Sequence, residues 1–255
     1  MEICFLGTGT SQGVPVIACE CEVCTSLQSQ DKRLRTSIML SYNNKNIVID
    51  TGPDFRQQML RERVSNVEAI VYTHEHKDHV AGMDDLRAFN FKHKKDIPLY
   101  VSKRVEVALK REFHYVFELN KYPGIPEVKL VHISKEETFD IGGKKWIPIE
   151  VMHHKLPVLN FRIEDFAYIT DANYISDIEF EKLKGVKVLV INALRREKHI
   201  SHFTLEEALE IIKKLNVEKA YLTHISHQLG LHLEVEKELP PNVFLAYDGL
   251  KITVD

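Results

Sequence analysis

The sequence predicts a mixed α/β fold forming one domain over residues 1–255. Short apolar, β-rich runs recur along the whole chain, and helix-like segments separate them. No linker, low-complexity tract or strong repeat divides the sequence. In order, the strand-like runs are 3–6, 38–40, 47–49, 69–72, 99–101, 166–169, 188–191 and 220–222. Four or five near-continuous apolar residues, as in Val188-Leu189-Val190-Ile191, suit strands covered on both faces. The clearest helix is 204–215: Thr204 can cap it, Glu207 completes a capping box, and Leu205, Leu209, Ile212 and Leu215 share one face. Segments 54–64, 80–92 and 103–118 also read as helices.

Composition narrows the function. The chain has 34 Lys+Arg against 37 Asp+Glu, a formal charge of −3, so nothing draws it non-specifically onto nucleic acid or anionic membrane. No run reaches the ~18 apolar residues a membrane helix needs. The N-terminus enters a strand-like run without a basic region, so the expectation is a cytoplasmic protein without a secretion signal. There are 13 histidines, many of them clustered, and three of four cysteines lie between positions 19 and 24. That pattern asks for metal.

The densest cluster is Thr73-His74-Glu75-His76-Lys77-Asp78-His79, directly after the strand run ending at Tyr72. In such a turn His74 and His76 can converge on one ion while Asp78 and His79 face a second. Imidazole plus carboxylate suits zinc, manganese or iron. Thr170-Asp171 and Thr223-His224 likewise follow strand runs, and His153 follows the extended segment 146–151. Ligands from several strand ends can meet along one sheet edge, where α/β proteins place their sites.

His74-x-His76-x-Asp78-His79 followed by His153, Asp171 and His224 resembles the metallo-β-lactamase superfamily in its phosphodiesterase branch, and most closely the PhnP-type cyclic phosphodiesterases. The resemblance runs from Gly7-Thr8-Gly9-Thr10-Ser11 through Ile49-Asp50-Thr51-Gly52 to Leu222-Thr223-His224-Ile225-Ser226. It implies an αββα sandwich with a binuclear metal site between the sheets at strand ends. His74, His76 and His153 would hold one ion, Asp78, His79 and His224 the other, Asp171 would bridge them, and Asp50 would orient the cluster. The Lys155-Leu156 pair favours His153 over His154 as ligand, and Asn160 stands where the family pattern has glycine. Cys19-x-Cys21-x-x-Cys24 with His227 resembles a structural zinc site stapling the 19–24 loop. Cys4, inside a strand run, reads as core.

His202, in Ser201-His202-Phe203-Thr204, matches a catalytic histidine of the branch, with His199 its competitor. The glycine-containing loop 7–13 lacks a following helix and reads as a close-approach turn near the cleft. His93, His114, His132, His154 and His232 are assigned to surface or core. The implied chemistry is hydrolysis of a small cyclic phosphate, such as 5-phosphoribosyl 1,2-cyclic phosphate, by a hydroxide bridging the two ions. His202 would be the acid and Asp78 would also steer the nucleophile. The rivals are a tRNase Z-like or cyclic-nucleotide phosphodiesterase and a non-catalytic metal-binding scaffold. Only 17 residues separate His153 from Asp171, too few for a tRNA-gripping arm. The expected partner is a small phosphodiester rather than tRNA or membrane, with a homodimer as the family-like assembly.

Overall fold

A computed structural model describes residues 1–120 and 122–254. Two sheets face one another. The first has the spatial order β15 (Lys251–Thr253), β1 (Glu2–Gly7), β2 (Ser37–Tyr42), β3 (Lys45–Ile49), β4 (Ala69–Val71), β5 (Ile97–Val101), β6 (Val128–His132). The second runs β11 (Tyr174–Ile175), β8 (Lys144–His153), β9 (Leu156–Ile163), β10 (Phe166–Ile169), β12 (Val188–Asn192), β13 (Lys219–Thr223), β14 (Val243–Leu245), with β7 (Phe139–Ile141) paired to β8. In both sheets three antiparallel pairings are followed by three parallel ones.

The near-continuous apolar runs are covered on both faces, as the sequence implies. In β12, Val188 and Val190 point into the layer between the sheets, where they meet Phe5, Ile49, Trp146, Phe161 and Tyr168. Leu189 and Ile191 point outward. There they pack under α7 (Asp177–Leu183), α8 (Leu205–Leu215) and α9 (His232–Glu238), through Phe180, Ile212 and Val235 among others. The outer face of the first sheet is covered by α2 (Phe55–Arg61), α4 (Arg87–His93) and α5 (Lys103–Glu112), through Phe55, Phe89, Val105 and Leu109. The result is the four-layer αββα order, and Cys4 is buried in its outer core.

Helix 204–215 forms as expected. The Thr204 hydroxyl accepts from Glu207 N at 3.2 Å, Glu207 accepts from Thr204 N at 2.9 Å, and left-handed Asn216 ends the helix. The other helical segments are shorter than the sequence suggests. Segment 80–92 breaks into α3 (Lys77–Val80), a 3-10 turn at Met83–Leu86 and α4, because Gly82 interrupts it where it packs against Gly52 and Phe55. Segment 103–118 breaks at Phe113, between α5 and α6 (His114–Phe117). Strands β6, β7, β9, β11, β14 and β15 escape the sequence reading because they are short or, as in β9 with Pro157, Asn160 and Arg162, interrupt their apolar residues with polar ones or proline.

Candidate metal centre

The histidines and aspartates converge where strands of both sheets end. Asp50 follows β3, Asp171 lies two residues beyond β10, and His224 follows β13. All three adopt left-handed backbone, φ 65°, 53° and 56°. Asp and His tolerate this conformation better than branched residues, yet it costs about 1 kcal/mol or more each, and such strain gathers at functional sites. The turn after β4 supplies His74, His76, Asp78 and His79. It lies directly against the Asp50 turn: Thr51 N donates to His79 O and Gly82 N to Thr51 O, both at 2.8 Å. Side chains at Gly52 or Gly82 would prevent this approach, since an added Cβ would meet Asp78 O or Gly52 O at 2.2 Å.

The donor atoms form two groups, His74/His76/His153 and Asp78/His79/Asp171/His224, with the atoms of each within 4.8 Å of one another. His79 Nε2 lies 3.2 Å from both Asp78 Oδ2 and Asp171 Oδ2, and His224 Nε2 lies 3.2 Å from Asp171 Oδ1. Asp171 thus presents one oxygen to each histidine, the arrangement a shared ligand needs. His74 Nε2 and His76 Nδ1 are 3.0 Å apart.

The far side of three of the rings is engaged. His79 Nδ1 donates to Asp50 Oδ2 at 2.7 Å, and His153 Nδ1 to Ser201 O at 2.9 Å. His74 Nδ1 lies 3.0 Å from Thr73 Oγ1, which donates to Asp50 Oδ2 at 2.7 Å. Such bonds orient ligand histidines and leave the inner nitrogen as a lone pair. His79 Nε2 and both ring nitrogens of His224 are buried without a hydrogen-bond partner among the described residues. A lone pair of His79 facing two carboxylates at 3.2 Å is repulsive unless a cation lies between them, so the donor set fits divalent metal ions. The charges respond accordingly. Burial opposes ionisation of Asp171, yet His224 and His79 hold its carboxyl well below the usual carboxylate range; Asp78 behaves alike beside His79 and His224. Burial also disfavours the His224 imidazolium, but Asp171 raises it to about 9.

The structure separates the sequence alternatives. His153 joins the cluster, whereas His154 is exposed in the β8–β9 turn, its N–H bonded to Asn173. His202 lies beside the cluster, its ring 4.6 Å from those of both His153 and His224, and its buried Nδ1 has no partner among the described residues. His199 stands outside, 5.1 Å from His202 ring to ring, with Nδ1 accepting from Ser201 N. His202 also forms a third donor group with His153 and Asp171, both already members of the first two. The 7–13 loop does approach the site: Thr10 N bonds Ile225 O, and Ile225 N bonds Thr8 O.

A separate cluster joins Cys19, Cys21, Cys24 and His227. Cys19 and Cys21 Sγ lie 3.4 and 3.2 Å from His227 Nδ1, and all the cysteines are free thiols. The His227 contact lowers the Cys21 thiol to about 6, towards the thiolate a metal requires. The donor set suits a closed tetrahedral zinc site.

Two participants have no role in the sequence reading: Asn160 and Asn192, whose amides grip the backbone on either side of Asp171. A polar amide inside an otherwise apolar strand run was the available signal.

Comparison with known proteins agrees with this geometry. The beta-lactamase superfamily domain model matches residues 45–225. The chain is 39% identical to an octanoyltransferase of Porphyromonas gingivalis over all of its own length but 52% of that protein, so it spans about half of that relative. It superposes with a TM-score of 0.93 on a diphosphatase of the PhnP family, 39% identical, covering 100% of this chain and 98% of that one. Zinc-bound PqqB of Methylobacterium extorquens shares the fold at a TM-score of 0.78 and 18% identity, with full coverage of both chains. The chain belongs to the beta-lactamase superfamily, with its αββα fold and a PhnP-family relative.

Proposed function

We propose that the chain is a binuclear metal-dependent phosphodiesterase that opens a small cyclic phosphate, such as 5-phosphoribosyl 1,2-cyclic phosphate. The observation that carries this reading is His202, a buried histidine whose Nδ1 has no partner among the described residues, 4.0 Å from the Asp171 carboxylate and packed between two other cluster histidines. His74, His76 and His153 would hold one ion, Asp78, His79 and His224 the second, and Asp171 both, with manganese, zinc or iron as the suitable metals. Ions bound there supply Lewis acidity, lowering the pKa of water towards neutrality and offsetting phosphoryl charge.

The chain's own groups do the rest. Burial pushes His202 down to about 2, so it waits as a neutral imidazole. An anionic phosphodiester beside it favours the protonated form. The imidazolium then donates its proton to the departing oxygen, a general-acid role worth ~100- to 10,000-fold. Asp78, which stays ionised, borders the same space and orients the attacking water.

A small ligand is favoured over tRNA by the charges near the cluster. A cavity of about 300 Å³ beside His74 is lined by Lys103, Arg104 and Lys135 among others. Each of these cations is paired, with Glu106, Glu75 and Glu150 respectively, so they form no free basic track for a polyanion. Octanoyl transfer names a protein about twice the length of this chain, and the match does not locate that activity in the shared half. A cytoplasmic homodimer acting without membrane contact completes the proposal.

The test is hydrolysis by metal-loaded protein of 5-phosphoribosyl 1,2-cyclic phosphate, precursor tRNA and a panel of cyclic nucleotides, with His202→Ala in parallel. Turnover of the sugar cyclic phosphate, reduced at least ~100-fold in His202→Ala with metal content unchanged, is the expected result. Loss of metal from the variant would make His202 a ligand instead. Silence on every substrate would favour the metal-binding scaffold.

A further inference from the structure

We propose that Asn160 and Asn192 are positioning residues that set the Asp171 carboxylate between the two halves of the cluster. This rests on reading Asp171 as the shared metal ligand. The β9–β10 ladder ends at the pair Phe161–Tyr168, and the β10–β12 ladder at Ile169–Ile191. Beyond those rungs the chain leaves the sheet to form the turn 170–172, and side chains replace the missing backbone partners. Asn160 Oδ1 accepts from Thr170 N at 2.8 Å, while its Nδ2 donates to Thr170 O at 3.0 Å. Asn192 Oδ1 accepts from Ala172 N at 2.9 Å, and its Nδ2 donates to Ala172 O at 3.0 Å. The left-handed Asp171 is therefore held on both sides by a two-point clamp.

Only a primary amide offers a donor and an acceptor side by side on so short a stem, matching a peptide group edge to edge. Both amides are fully buried, so nothing but these backbone groups repays their desolvation. Each is also anchored to another part of the site. Asn192 pairs in register with Thr223, the residue before His224. The neighbour of Asn160, Leu159, donates its N–H to Thr73 O at 3.2 Å, at the start of the His74–His79 turn. The clamps thus fix Asp171 relative to both strand ends whose histidines face its two oxygens.

The experiment titrates metal-free wild type, Asn160→Ala and Asn192→Ala with Mn²⁺, which avoids thiolate sites, and follows binding and spin coupling by electron paramagnetic resonance. Leu189→Ala, a cavity in the outward face of β12, serves as a destabilised control, and thermal midpoints are recorded for all four proteins. Wild type should bind two ions with an exchange-coupled spectrum. The clamp variants should bind the second ion ten- to a hundred-fold more weakly and show isolated Mn²⁺ signals at ratios where wild type is coupled. Leu189→Ala should keep the coupled spectrum. Coupled two-ion binding in the clamp variants, or equal weakening in the control at matched midpoint, would overturn the inference alone. A wild type that takes up no coupled pair would remove the shared-ligand reading and this inference with it.

Discussion

Asp50 shows how a single side chain can organise a cluster of metal-type ligands from behind the rings. It is fully buried; Oδ1 accepts from Thr73 N, and Oδ2 accepts from both Thr73 Oγ1 and His79 Nδ1. Through the Thr73 hydroxyl it also reaches His74, so one carboxylate sets ring orientation in both donor groups. Asp50→Ala should weaken metal binding ten- to a hundred-fold while leaving the metal-free fold intact. Zinc titration by calorimetry, with circular dichroism of the metal-free variant, checks this. The histidines themselves were legible from sequence because four ligand-type side chains within six positions have few other uses. Asp50 could be placed only through the family pattern. The function of Asn160 and Asn192 was hidden, because an amide becomes a clamp only where a ladder happens to stop.

At the level of elements, the 14–27 region is the part least able to hold itself. Its apolar cluster consists of Val14, Val23 and Cys24, and its helix α1 (Glu22–Thr25) is four residues long with no side-chain cap. An isolated turn of this length is marginal in water. Zinc held by Cys19, Cys21, Cys24 and His227 would join it to the segment that carries His224, three positions earlier. The protein should therefore retain one zinc after mild chelation. Cys21→Ser should lose that zinc, lower the thermal midpoint by several degrees and expose the loop to proteolysis, with His202-dependent turnover still measurable. Zinc analysis and limited proteolysis read both effects. Most strands covered on both faces were legible as apolar runs, though not β9, where Asn160 and Arg162 break the run, and α8 was legible as a capped amphipathic segment. The edge strands were not, since half of each faces solvent and their composition resembles loop.

Across the whole molecule, the two ends of the chain are tied together behind the site. The buried Arg33 guanidinium donates to Thr8 Oγ1 and to His232 Nδ1, at 2.9 and 3.1 Å, and Asp31 accepts from His232 N at 2.8 Å. Burial, with the Arg33 charge beside it, lowers His232 to about 4. Its folded pKa lies below the unfolded value, so the unfolded chain gains the proton first. The stabilisation is complete above about 6.5 and is lost as pH falls from there to about 4, on the order of 2–3 kcal/mol. In metal-free protein, wild type should lose that much more stability than His232→Gln between pH 7 and 4, as urea unfolding would show. Equal losses in the two proteins would contradict the assignment.

That the strands lie covered on both faces was determined by the sequence itself, because near-continuous apolar runs of four or five residues suit such strands, whereas the four-layer order was legible only through the family resemblance. Ligand chemistry was also determined by the sequence, since imidazole, carboxylate and thiolate are properties of single residues. The family pattern already favoured His153 over His154 and His202 over His199, but tertiary structure alone decided how those rings pack and that two asparagines grip Asp171. Those outcomes depend on strand register and on where ladders end. A shift of one residue turns a side chain to the opposite face of its sheet, and register between positions as distant as 74 and 224 is set by packing the two sheets together.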